Sequence, residues 1–204
     1  MSRTRTAAAI ATIAAALTAC HPNASSEPTN PTNNDTTAML KNITIAAEDT
    51  GYDYDRDDWP HWSHVGDYCN VRDVVLKEQA EQVRVGDKCA LTGRWVSPYD
   101  DVVVTDPSDL DIDHIVPLSE VADSGVRDWT EAERETFAND TRFLVAVTAS
   151  SNRSKGDQDP AEWMPPNPAY HCEYVELWVE AKAAYELTMD RAEADKVRQV
   201  LADC

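Results

Sequence analysis

Four cysteines, Cys69, Cys89, Cys172 and Cys204, constrain what this chain can fold into more than any other feature. A fifth, Cys20, closes an apolar leader that opens with Arg3 and Arg5. At about 1.5 Å per residue, the apolar run over 7–19 falls short of a hydrocarbon core of ~30 Å, so it reads as an export signal and not a membrane span. An exported chain meets an oxidising environment, where an even set of cysteines forms disulfides. A zinc site is the rival, but the sequence has no C-x-x-C pair and no C-x-H cluster. Of the alternative connectivities, the sequential one, Cys69–Cys89 with Cys172–Cys204, is favoured.

The C-terminal pattern supports that choice. Tyr174, Leu177, Trp178, Ala181, Ala184, Tyr185 and Thr188 recur at helical spacing on one face. Asp190 with Glu193 three positions on has the form of a capping box opening a second helix, and Val197, Val200 and Leu201 follow. Two antiparallel helices of similar length bring the start of the first beside the end of the second, where Cys172 and Cys204 lie. This helical hairpin reads as structural.

Upstream, Asn70 and Asp73 form another capping-box pair, ahead of Val74, Val75 and Leu76. Gly86-Asp87 breaks the chain; 89–96 reads as a strand, 97–101 as a turn and 102–104 as the returning strand. A Cys69–Cys89 bridge would constrain the unfolded chain by about 3 kcal/mol on the entropic account. Residues 54–62, Tyr-Asp-Arg-Asp-Asp-Trp-Pro-His-Trp, fit no clean period.

Residues 20–46 are rich in Ser, Thr, Asn and Pro, with too little apolar surface to offset the entropy of ordering, and are expected to form a disordered tether. The 47–204 stretch fits one domain. Net charge is −19, and two units more negative once Arg3 and Arg5 leave with the leader. Proteins that grip nucleic acid normally carry a basic footprint. Acidity this strong opposes tight non-specific duplex binding, and it makes a divalent cation more necessary at any centre that handles phosphate. Leu17-Thr18-Ala19-Cys20 resembles the lipobox of bacterial lipoproteins. That resemblance implies a signal peptide over 1–19, a lipid on Cys20 and display on the extracellular face of the cell membrane. Cleavage without lipidation would leave a secreted chain.

The chemistry-bearing residues lie between these parts. Asp111-Ile112-Asp113-His114-Ile115-Val116-Pro117-Leu118 is followed by Phe137-Ala138-Asn139-Asp140, an apolar strand-like run over 143–147, and Ser150-Ser151-Asn152-Arg153-Ser154-Lys155-Gly156-Asp157 as a helix start. Alone, an Asp-His dipeptide is weak, because a histidine there is more often a core residue bonded to a carbonyl. The ordered set is more specific. Asp-His-x-x-Pro, a middle Asn and a closing Asn-Arg-x-Lys-Gly-Asp resemble the ββα-metal (HNH) nuclease motif in its Asn-ending form. With the 54–62 block, the chain resembles secreted bacterial HNH proteins related to the C-terminal domain of GmrSD-type restriction enzymes.

The resemblance implies an α+β domain with a ββα-metal core, a flanking β-hairpin and the C-terminal helical hairpin, stapled by two disulfides. It implies a metal-dependent endonuclease acting on DNA, with RNA as a second substrate, and a monomer. His114 is the implied general base, since an imidazole near its ordinary pKa of about 6.5 accepts a proton from water at neutral pH. Asp113 and Asn152 are the implied ligands of a hard cation such as Mg²⁺, or Mn²⁺. Asn139 is implied to orient His114, with Asp140 as its register rival. Lys155 and Arg153 are candidate phosphate ligands, or else solvated helix charges. Arg56 and Arg72 read as partners in buried pairs. His61 and His64 suggest metal ligands only weakly, and His171 reads as incidental. Two rivals stand beside the nuclease: a catalytically silent surface-binding module of the same fold, and a hydrolase of other phosphoesters using Asp113, His114 and His61.

Overall fold

A computed structural model describes residues 33–204. The leader, Cys20 and the first part of the expected tether lie outside the described residues. In chain order the elements are α1 (Asn33–Leu40), β1 (His64–Val65), β2 (Cys69–Asn70), α2 (Val71–Glu78), β3 (Gln82–Val85), β4 (Leu91–Ser97), β5 (Val102–Val104), β6 (Leu110–His114), α3 (Leu118–Asp123), α4 (Glu131–Ala138), β7 (Leu144–Thr148), α5 (Ala149–Lys155), α6 (His171–Ala184) and α7 (Arg191–Asp203). The protein is therefore a mixed α+β fold. No helix among the described residues is long and apolar enough to cross a membrane.

Both disulfides have the sequential pairing. Cys69 and Cys89 have Cα atoms 5.4 Å apart, and Cys172 and Cys204 5.8 Å apart. The capping boxes form as the sequence predicts: Asn70 with Asp73 opens α2, and Asp190 with Glu193 opens α7. A third, Thr130 with Glu133, opens α4. The predicted hairpin is β4–β5, and it gains an unforeseen partner in β3, which pairs antiparallel with β4. Lys88 and Cys89, both with positive φ, turn the chain between β3 and β4.

Part of the expected tether is ordered. Within 20–46, α1 forms, and its last residue Leu40 and the following Ile43 are buried in the same core as Trp178 and Val179 of α6. Backbone bonds between Ala46 N and Met189 O (2.9 Å) and between Met189 N and Thr44 O (3.0 Å) continue the attachment. The polar average of the stretch concealed these few apolar residues, whose partners lie more than a hundred positions away.

The centre is the antiparallel pair β6–β7, running from Leu110↔Thr148 to His114↔Leu144. It is covered on both faces, which explains why every residue of β7 is buried and its sequence is a continuous apolar run. Leu110, Ile112, Leu144 and Ala146 enter a smaller core under α2 with Val75, Leu76 and Trp95. Val145 and Val147 enter the main core with α6. Gln79, just past α2, caps the unpaired edge of β7 as a neighbouring strand would: its Nε2 donates to Leu144 O (2.7 Å) and its Oε1 accepts from Ala146 N (2.8 Å).

Candidate active site

Alternation along β6 sorts its side chains into two rows. Asp111 and Asp113 face α5; Leu110, Ile112 and His114 face the other way. Asn152 and Lys155, three apart on α5, meet the acidic row in register. Asn152 Nδ2 donates to Asp111 Oδ2 at 3.0 Å, and Lys155 Nζ donates to Asp113 Oδ2 at 2.6 Å. Helix α5 is capped by Thr148, two residues before the predicted Ser150, and starts at Ala149, with the Thr148 hydroxyl accepting from Ser151 N. The Asp100 carboxylate beneath it accepts from the Thr148 and Ser151 hydroxyls and anchors that end.

His114 is the last residue of β6, so the rows meet where pairing ends. Its Nε2 lies 2.9 Å from Ala138 O. A carbonyl only accepts, so Nε2 carries the proton and Nδ1 keeps its lone pair. The ring is buried and stacks on Trp62, with centroids 5.7 Å apart and planes 24° apart. Burial pushes its pKa down to about 3; the bond to Ala138 O opposes that shift, and the positive charges of Lys155 and Arg56 add to it. The imidazole is thus neutral across the physiological range. It is not sealed: His114, Asp113, Asn152, Tyr54, Arg56 and Asp157 border a cavity of about 390 Å³.

Four assignments change. Lys155 is fully buried, and its ammonium is consumed by Asp113 Oδ2 and by His114 O (2.7 Å), so it holds the strand end and not a phosphate. Asn139 does not touch His114. Its Oδ1 accepts from Ser63 N (2.9 Å), and its Nδ2 donates to Pro60 O (2.9 Å) and Glu135 O (2.8 Å), which pins the 60–63 loop. That loop carries Trp62, which has a left-handed backbone at φ 59° and stacks on the imidazole. Arg56 is exposed at the cavity and is not a buried partner. Arg72 is half-buried but is not in an ion pair either: it donates to the carbonyls of Pro107 and Leu110.

The other candidates stand apart. Asp140 bonds Arg142 and Tyr185. Arg153 is exposed and is not among the residues bordering the cavity. His61 Nδ1 lies 2.8 Å from Trp59 O, and His171 Nε2 2.8 Å from Pro165 O. His64 is exposed on β1. Among the described residues, one set of three carboxylates converges, Glu48, Asp159 and Asp190, and it shares nothing with the expected ligands.

The donor set at the cavity suits a hard cation. Tyr99 OH (2.5 Å) and Lys155 Nζ both occupy Asp113 Oδ2, which leaves Oδ1 for another partner. Asn152 spends its NH₂ on Asp111, which leaves its amide oxygen. One carboxylate oxygen and one amide oxygen match an ion that keeps most of its water, as Mg²⁺ does.

Residues 72–200 match the GmrSD restriction endonucleases, C-terminal domain. The chain is also 39% identical over 180 residues to an uncharacterized secreted protein of Arthroderma benhamiae, covering 87% of this chain and 88% of that one. That relative is fungal. No solved structure matches. The chain belongs to the family of GmrSD restriction endonuclease C-terminal domains.

Proposed function

We propose that β6, β7 and α5 form a ββα-metal core and that the protein is a metal-dependent endonuclease hydrolysing phosphodiester bonds of nucleic acid, DNA first and RNA second. One observation carries this reading. A neutral histidine, its tautomer fixed by a backbone carbonyl, borders the same cavity as a carboxylate and an amide that each keep an oxygen unspent. In this reading His114 accepts the proton of the attacking water at Nδ1. Trp62 and Ala138 O hold the ring still, and Tyr99 with Lys155 fixes the Asp113 carboxylate. Asp113 and Asn152 would hold a divalent cation, Mg²⁺ or Mn²⁺, which supplies Lewis-acid polarisation of the phosphate and stabilises the departing oxygen. Substrate approach adds negative charge beside Arg56, which opposes its depressing effect on His114 and strengthens the base.

The leader, the lipid on Cys20 and the tether up to about residue 32 would place a monomeric enzyme at the cell surface. The disulfides fit an oxidising location. The test is nicking of supercoiled plasmid with Mg²⁺ or Mn²⁺. His114→Ala should abolish it with the fold intact, and a parent protein that never nicks sinks the proposal. Small phosphoesters in the same assay separate a nuclease from a broader phosphoesterase. His61 gives that rival little support, since its Nδ1 is committed to Trp59 O.

A further inference from the structure

Three buried or half-buried cations of the fold are already spent. Lys155 is taken by Asp113 and His114 O, Arg72 by two carbonyls, and Arg134 by Asp58 O and Trp129 O. Arg56 differs. It borders the cavity, is exposed, and forms no ion pair with a carboxylate among the described residues, in a chain with 37 acidic residues against 18 Lys and Arg.

What holds Arg56 is neutral. His61 Nδ1 donates to Trp59 O at 2.8 Å, so its Nε2 is the acceptor, and that nitrogen lies 3.5 Å from Arg56 Nη2. The Tyr54 phenol lies close enough for the guanidinium to act on it. Both neighbours position the guanidinium without neutralising it, and most of its five N–H donors stay unspent. A fork of this kind matches the geometry of a phosphate.

We propose that Arg56, steadied by His61 and Tyr54, binds the non-bridging oxygens of a backbone phosphate of a nucleic-acid strand entering the His114 cavity. The proposal takes its ligand from the nuclease reading, but the subsite works without hydrolysis, so the two can fail separately. It supplies from one residue the phosphate contact that Lys155 cannot make. It also assigns a purpose to the 54–62 block, whose aromatics and acids follow no structural period.

The test measures binding of a short, labelled oligothymidylate to the full-length chain in EDTA by fluorescence polarisation, so that nothing is cleaved. Arg56→Gln should weaken binding about tenfold or more, as expected for a lost charge-assisted contact. Arg56→Lys should recover only part, because an ammonium keeps the charge without the fork. The side chain is exposed, so the thermal midpoint of either variant should match the parent's. Asn152→Ala should keep the EDTA affinity while losing nicking. Equal affinities of parent and Arg56→Gln at low salt, or no binding by the parent, would overturn the subsite. Should the parent bind through Arg56 yet never nick DNA, the subsite stands and the hydrolase reading falls.

Discussion

Lys155→Met separates the two roles that a lysine beside this site can play. Methionine keeps an unbranched apolar stem in the same space. The ammonium it removes is fully buried, 2.6 Å from Asp113 Oδ2 and 2.7 Å from His114 O. Asp113 is then left with the Tyr99 hydroxyl as its remaining partner on that oxygen. Removing one member of a buried ion pair costs about 3–5 kcal/mol, whereas replacing a solvated lysine changes stability by no more than about 0.5 kcal/mol. With a slope of about 1.5–2 kcal/mol per molar urea, the first case moves the denaturation midpoint down by roughly 2 M. Adding Asp113→Asn removes the stranded charge, so the double variant should regain about 1–3 kcal/mol of the loss. A loss below about 1 kcal/mol for Lys155→Met, or no recovery in the double variant, would refute the buried-pair argument and return Lys155 to the surface.

Burial pushes His114 down to about 3, so the stability it contributes is present above its unfolded value near 6.5 and is lost as pH falls towards 3; the urea midpoint should decline across that window, and His114→Gln should flatten the decline. By the same shift, the acid limb of kcat/KM should lie well below pH ~6.5, and a limb centred there would contradict the buried, neutral imidazole. Cys172→Ala with Cys204→Ala opens a crosslink between residues 32 apart and should cost about 3.7 kcal/mol on the entropic model, measured by chemical denaturation. Because the chain carries −19 charges, plasmid cleavage should hold steady or rise as salt approaches ~0.15 M, and a steep fall would show a basic footprint that the structure lacks.

Local signals were legible wherever a few neighbouring residues decide the outcome. The Asn70–Asp73 and Asp190–Glu193 boxes, the turn before β5 and the helical spacing behind the Cys172–Cys204 bridge needed no distant partner. The Thr130–Glu133 box carries the same local signal. Distant partners defeated the rest. Nothing beside Lys155 in the sequence shows that Asp113 waits for it, and nothing beside Lys182 shows that Glu120 and Glu193 will draw it into the core. Asn139 follows Ala138, whose carbonyl meets the histidine, but its own bonds run to a loop more than seventy positions away. The 54–62 block was opaque because its logic is the cavity wall and not a helix face.

The two rows of β6 fix its length as firmly as its composition. Acids fill one side and apolar residues ending in the imidazole fill the other, each with its own set of neighbours. One residue inserted before Asp111 with pairing retained would turn Asp111 and Asp113 towards Trp95 and Leu76, and the histidine towards Asn152. Point substitutions there can be graded, but a single-codon insertion or deletion exchanges the sides wholesale. Drift in this family should therefore change chain length in the loops around β6 while leaving the spacing from Leu110 to His114 untouched.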